Sequence, residues 1–190
     1  DGPGALILAP TRELSMQIAD ELNSLKGENP LRIAAFYGGQ NIAIQLKLLS
    51  AGIDVVIGTP GRIIDLMERK KLHFDNIKFA VLDEADEMLD MGFIEDIERI
   101  LSATPEDKRM LMFSATMPKE VLSIAERFMR DYEIVRTKTI EQSNELTEQI
   151  YYEVRRENKF EALSRIIDME EELYGIVFCH TRSDVDELAE

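Results

Sequence analysis

Five times in succession the chain sets a short, continuously apolar run ahead of a polar or Gly/Pro turn and a stretch with helical spacing. The runs are Ala5–Ala9, Arg32–Tyr37, Asp54–Ile57, Phe79–Leu82 and Met110–Phe113. The stretches that follow carry Leu14, Ile18, Leu22 and Leu25; Ile42, Leu46 and Leu49; Ile63, Ile64 and Met67; Met88, Ile94, Ile97, Ile100 and Leu101; and Val121, Ile124, Ala125 and Phe128. A run that is apolar at every position, rather than at every second one, suits a strand buried on both faces. Strand and helix in alternation point to a mostly parallel sheet, because parallel neighbours need a crossover between them. The predicted fold class is α/β, a parallel β-sheet flanked by helices.

The pattern pauses and restarts. The stretch from about Arg136 to Thr147 is polar and lacks helical apolar spacing, so residues 138–147 read as a linker. Residues 1–137 then form a first domain, and residues 148–190 begin a second α/β domain. Its predicted strands are Gln149–Val154 and Tyr174–Cys179. Its predicted helices carry Phe160, Leu163, Ile166 and Ile167, and start again at Ser183. The chain opens Asp1-Gly2-Pro3 without Met and stops at Glu190 within a helical stretch. It is therefore expected to be a fragment, with both domains incomplete.

Composition excludes several classes. One cysteine rules out an internal disulfide framework and a Cys-rich zinc site, and two histidines, His73 and His180, argue against a His-based metal centre. No apolar run approaches the ~18–20 residues that span a bilayer, so no membrane partner is expected. No signal peptide is visible, and a cytoplasmic location is the expectation. The formal net charge of −15 at first argues against nucleic acid, which needs positive charge. The excess acid is unevenly placed, however. Residues 1–82 hold nine basic and nine acidic side chains, and the whole deficit follows residue 82.

Polar residues collect in the turns after the strands. These turns read Pro10-Thr11-Arg12-Glu13, Gly38-Gly39-Gln40, Thr59-Pro60-Gly61-Arg62, Asp83-Glu84-Ala85-Asp86 and Ser114-Ala115-Thr116. If the strands are parallel, all five line one rim, where ligands of open α/β sheets bind. An acid closing a buried strand is how P-loop NTPases hold a phosphate-bound Mg²⁺, the ion keeping several waters. A neighbouring Glu84 would orient and deprotonate an attacking water. The plain alternative is that these acids cap a helix and complement its dipole.

The chain resembles the DEAD-box ATP-dependent RNA helicases, which are named for the tetrapeptide at Asp83–Asp86. Ala9-Pro10-Thr11-Arg12-Glu13-Leu14 is similar to their motif Ia, with Ser15 where Ala is frequent. Gly38-Gly39 matches the GG motif, Thr59-Pro60-Gly61-Arg62 motif Ib and Ser114-Ala115-Thr116 motif III. Val177-Phe178-Cys179-His180-Thr181-Arg182 resembles motif IV, which opens the second RecA-like domain. Six short motifs in order, each on the right kind of element, are specific where one alone is not. The stretch Tyr151–Arg182 is most like bacterial DeaD-type members.

The resemblance implies two RecA-like domains and ATP-dependent local unwinding of RNA. ATP and Mg²⁺ would be the cofactors, with Asp83 positioning the ion through water. Glu84 would activate the water, and Asp86 would bond Ser114 or Thr116. Pro10, Thr11, Arg12, Gly38, Gly39, Thr59, Pro60, Gly61 and Arg62 would bind the RNA backbone, joined by Thr181 and Arg182. Gly allows close backbone approach to phosphate, and Arg supplies charge-assisted contacts. Such contacts carry little sequence specificity. Glu13 would hold a neighbouring motif.

The family's G-x-x-x-x-G-K-[ST] loop and its motifs V and VI do not occur in this sequence. The fragment by itself is therefore expected to be inactive. A DNA helicase or translocase and a non-catalytic RNA-binding scaffold are the rival readings. Cys179, Met88, Met91, Met110 and Met112 read as core, His73 as a surface loop residue, and Glu170-Glu171-Glu172 as a solvated helix end.

Overall fold

The computed structural model describes residues 2–137, 148–169 and 174–189, in two compact units that divide after Ile134. The expected linker at 138–147 and the acidic run at 170–172 lie outside the described residues.

The first unit is one sheet of five parallel strands in the order β2-β3-β1-β4-β5. The strands are β1 (Ala5–Leu8), β2 (Ile33–Phe36), β3 (Val55–Gly58), β4 (Phe79–Leu82) and β5 (Arg109–Met112), each within a residue or so of its apolar run. The crossovers are α1 (Arg12–Leu25), α2 (Ile42–Ser50), α3 (Pro60–Glu68), then α4 (Ala85–Asp90) with α5 (Ile94–Ser102), and α6 (Lys119–Phe128) follows β5. Central strand β1 buries Leu6 and Leu8. Against this sheet pack Ile63 and Leu66 of α3, Met88 of α4, Ile97 and Ile100 of α5, and Val121 and Ile124 of α6. Burying an aliphatic side chain of this size contributes ~1.5–3 kcal/mol.

The helical spacing from Met88 to Leu101 is interrupted. Gly92 sits at φ +82°, which ends α4 and lets α5 start in a new direction. Met91, expected in the core, is the C-cap residue of α4 at this break and is exposed. Met88 and Met110 are buried as expected, and Met112 packs against the core partly buried.

Four of the five rim turns leave the sheet on a final ladder bond. The N–H groups of Ala9, Thr59, Asp83 and Phe113 donate to the carbonyls of Gly58, Phe36, Leu8 and Leu82, at 3.1, 3.1, 2.9 and 2.8 Å. At the opposite edge Arg32 and Asp54 pair side on, Nη2 to Oδ1 at 2.8 Å and Nε to Oδ2 at 2.9 Å, which fixes β2 against β3. The Arg32 guanidinium holds the Asp54 carboxyl at about 2.

The second unit holds a 3₁₀ turn (Arg156–Asn158), α7 (Lys159–Met169) and α8 (Arg182–Ala189). The two strands expected at 149–154 and 174–179 are not formed; no strand occurs among the described residues of this unit. A strand exists only through its neighbours' hydrogen bonds, and these two segments do not pair. Tyr151, Tyr174 and Phe178 stand exposed accordingly, and Cys179, expected in a core strand, is a partly buried free thiol. His73 is exposed, as expected of a loop residue. No helix among the described residues is long and apolar enough to cross a membrane.

The ladder requires Gly at the end of β3. A Cβ on Gly58 would lie 2.5 Å from the Phe36 carbonyl oxygen and 2.8 Å from Ile63 Cδ1, whereas one on Gly61 would meet nothing within 4 Å. Gly58→Ala is therefore expected to destabilise the chain by ~1–3 kcal/mol. Gly61→Ala, in the first turn of α3, should be neutral or slightly stabilising. Urea denaturation of the two variants side by side checks the contrast.

Candidate functional site

All five strands are parallel, so their carboxyl ends and the polar turns share one rim. The chain builds outward from β1 to β3 and β2 on one side and to β4 and β5 on the other. The order reverses at β1, and ligand crevices open at such a point. Pro10 and Thr11 stand at this centre. Gly38, Gly39 and Thr59 lie to one side, and Asp83, Glu84 and Ser114 to the other.

The side built on β4 and β5 is acidic. Asp83 is partly buried, and its Oδ1 accepts the Glu84 N–H at 3.1 Å. Glu84 is exposed and takes left-handed backbone angles, φ 49° and ψ 55°, uncommon for a residue with a Cβ. The conformation turns the chain sharply from β4 into α4, and the Ala85 N–H reaches the Phe113 carbonyl at 3.0 Å. Asp86 then faces the turn after β5. Its Oδ2 accepts the Thr116 N–H at 2.8 Å and the Thr116 hydroxyl at 2.7 Å, while the Asp86 N–H donates to Ser114 Oγ at 3.1 Å. The expected bond to Ser114 or Thr116 is thus made to both. The Thr116 hydroxyl, aided by its N–H and Ser114, outweighs desolvation and lowers the Asp86 carboxyl from an ordinary 3.8 to about 2.

This acidic corner tests a divalent ion. Among the described residues no three His, Cys, Asp or Glu side chains converge as a metal cage. A single strand-end carboxylate, Asp83, suits an ion such as Mg²⁺ that keeps most of its waters and takes its other ligands from phosphates.

The side built on β2 and β3 is neutral and hydrogen-bonded. Pro10 is buried, so it shapes the turn. Thr11 caps α1, its Oγ1 accepting the Leu14 N–H at 3.2 Å, and buried Ser15 returns a bond to the Thr11 carbonyl at 2.8 Å. Arg12 is exposed, its guanidinium 5.0 Å above the Tyr37 ring. Gly38 and Gly39 are exposed, with open space where a Cβ would be, and Gly39 requires its φ of +80°. Thr59 leads into α3 with buried Pro60 at its first turn and Gly61 exposed beside it. Arg62 turns inward. It bonds Gln45 Oε1 at 2.7 Å and lies 3.8 Å from Asp65, its side chain 12% exposed. Glu13, expected to hold a neighbouring motif, is exposed in the first turn of α1.

Thr181 and Arg182 belong to the second unit. Thr181 Oγ1 accepts the Asp184 N–H at 3.1 Å and Asp184 Oδ2 accepts the Thr181 N–H at 2.9 Å, a reciprocal cap on α8. Arg182 is exposed in the first turn of that helix.

The motif reading missed Tyr37 and Gln45. A signal for Gln45 was present: it falls on the stripe Ile42, Gln45, Leu46, Leu49, where an amphipathic helix places apolar residues. A polar residue there must find partners when buried.

The family model for the DEAD/DEAH box helicase matches residues 1–124. A probable ATP-dependent RNA helicase of Methanocaldococcus jannaschii is 50% identical over 189 residues, covering 100% of this chain and 50% of that protein. The ATP-dependent RNA helicase CshA of Listeria monocytogenes is 46% identical, over 97% of this chain and 36% of its own length. The chain therefore spans half or less of the length of these relatives. Among solved structures, a DEAD box protein from the hyperthermophile Methanococcus jannaschii superposes with a TM-score of 0.70 at 50% identity, covering all of this chain and 50% of that one. A hypothetical ATP-dependent RNA helicase from Sulfolobus tokodaii gives 0.65 at 34% identity, over 70% of this chain and 40% of its own.

The lowered Asp86 carboxyl makes the link between α4 and the turn after β5 pH-dependent in one direction. A depressed acid contributes stability above its unfolded value, which is lost as pH falls from about 4 through about 2. Carboxyl NMR should place the Asp86 midpoint near 2 and find it raised toward 3.8 in Thr116→Val. An unshifted midpoint in that variant would remove the hydroxyl as cause.

Proposed function

Because this chain belongs to the DEAD/DEAH box helicase family, we propose that its rim is the ATP-hydrolysing and RNA-binding half-site of an RNA-stimulated ATPase that locally unwinds RNA. The observation that carries this reading is the corner at Asp83–Asp86. Asp86 is spent on Ser114 and Thr116, and Glu84 is left exposed beside a partly buried strand-end carboxylate.

ATP is the substrate. Mg²⁺ bound through water at Asp83 would neutralise phosphate charge. The residues of the chain do the rest. Glu84 is exposed at the rim beside Asp83, and its carboxylate there accepts a proton from water attacking the terminal phosphate. The left-handed turn at Glu84 sets that carboxylate by backbone rather than by side-chain bonds, which keeps its oxygens free. Asp86 stays ionised through the pH range of life and ties α4 to the turn after β5. A displacement at the nucleotide is thereby felt at Ser114–Thr116.

RNA lies over the other side of the rim. Gly38 and Gly39 present bare backbone, and the exposed Arg12 presents a charge steadied by Tyr37. Thr11, Thr59 and Gly61 continue that surface at the starts of α1 and α3, whose N–H groups favour phosphate. Pro10 and Pro60 shape it from below, and Arg62 holds it through Gln45. Within the second unit, Thr181 and Arg182 at the start of α8 are phosphate-binding groups of their own. Backbone recognition of this kind makes binding insensitive to base sequence. The local charge balance permits it, since the acid excess lies after residue 82.

In the full-length protein, Glu84→Gln should lower RNA-stimulated ATP hydrolysis by roughly 10²–10⁴-fold while leaving RNA affinity intact. Stimulation by DNA equal to that by RNA would overturn the assignment of substrate. Arg12→Glu should weaken RNA binding across sequences and flatten its salt dependence, by about one unit in the log–log slope for each phosphate no longer neutralised. Fluorescence anisotropy at several salt concentrations measures both. An unchanged slope would take Arg12 out of the interface.

A further inference from the structure

Gln45 lies on α2 under the rim and is fully buried. Its carboxamide meets three groups. Nε2 donates to the Tyr37 carbonyl at 3.1 Å and to Gln40 Oε1 at 2.7 Å, and Oε1 accepts from Arg62 Nη1 at 2.7 Å. The chemistry fixes which way the amide points. Arg62 only donates, so an oxygen must face it, and the two remaining neighbours are oxygens that need a donor. Arg62 also reaches toward the Gln40 carbonyl, 3.5 Å from each of its terminal nitrogens.

These bonds fall on either side of Gly38-Gly39. The two glycines have no side chains and nothing packs where a Cβ would stand. Their turn is held from the residues that flank it, Tyr37 before and Gln40 after, and both are bonded to Gln45. We infer that Gln45 is the positioning residue of the Gly38–Gly39 turn, fixing from beneath the backbone surface that meets RNA phosphate without touching RNA. The inference rests on the reading of this rim as an RNA-stimulated ATPase. It assigns to the paired Gln45 and Arg62 the task of coupling the turns after β2 and β3. Leucine at position 45 would keep the bulk, remove the 2.7 Å bond of the Arg62 guanidinium and leave the Tyr37 carbonyl without its Gln45 donor, so the turn would lose its fixed place.

The test measures ATP hydrolysis by the full-length protein against RNA concentration. Gln45→Leu should raise the half-saturating RNA concentration about tenfold (~1.4 kcal/mol). Gln40→Ala, on the half-exposed turn, removes one of the three partners and should raise it in the same direction, about threefold. Hydrolysis without RNA and at saturating RNA should stay within about twofold of wild type, a split that a general loss of structure does not give. An unchanged half-saturating concentration overturns the inference. So does a parallel fall in RNA-free hydrolysis, which would make Gln45 a packing residue. If Gln45→Leu does not fold, Gln40→Ala decides by the same criteria. Wild-type protein that RNA does not stimulate overturns the underlying reading instead, and that result is visible before any variant is compared.

Discussion

The parallel ladder is the constraint on which the remainder depends. Five short strands point one way, and the last hydrogen bonds at their carboxyl ends launch the turns from nearly the same height. Residues as far apart in sequence as Thr11, Gly39, Thr59, Asp83 and Ser114 become neighbours on one rim for that reason alone. Gly58 shows how tight the arrangement is, because the Phe36 carbonyl that receives the Thr59 N–H occupies the space a Cβ would need. One face of the sheet is buried at Leu6, Leu8, Val56, Ala80 and Leu82, whereas Phe79 of β4 and Leu111 of β5 on the other face are exposed, so the strands expected to be buried on both faces are not so at that side.

The rim solves two problems with different chemistry. On the acidic side an ionised group is kept ionised, because the Thr116 N–H and hydroxyl both donate to the Asp86 carboxylate and favour its charged form. On the neutral side the support is a carboxamide, which can donate and accept at once. A carboxylate in the place of Gln45 would satisfy Arg62 and confront two oxygens. A lysine would do the reverse. The net charge of −15 coexists with a surface suited to phosphate because the two sides occupy different stretches of sequence.

Much was legible in advance where a local rule sufficed. Continuous apolar runs located the five strands, and the residue chemistry of the turns located the rim. The helix from Met88 to Leu101 was not legible as two, since a Gly is compatible with a helix until its φ is known, and Gly92 lies at +82°. Tyr151 and Phe178 were read as strand residues on their apolarity. Strand formation is a property of pairs, and those segments are unpaired among the described residues.

The sequence by itself determined the alternation of strand and helix, the parallel sheet this demands, and the residue types at each turn, because these follow from spacing and side-chain chemistry within a few positions. Only the tertiary structure decided how those residues are used. Arg62, expected at the RNA backbone, is turned inward to Gln45. The resemblance implies a bond from Asp86 to Ser114 or Thr116, and the fold shows it made to both. Glu84 is set by a left-handed turn that no composition announces. The partners of Arg62 and Asp86 stand 17 and 30 residues away along the chain, and the ladder brings them within 3 Å, a proximity that is not written in any local stretch of sequence.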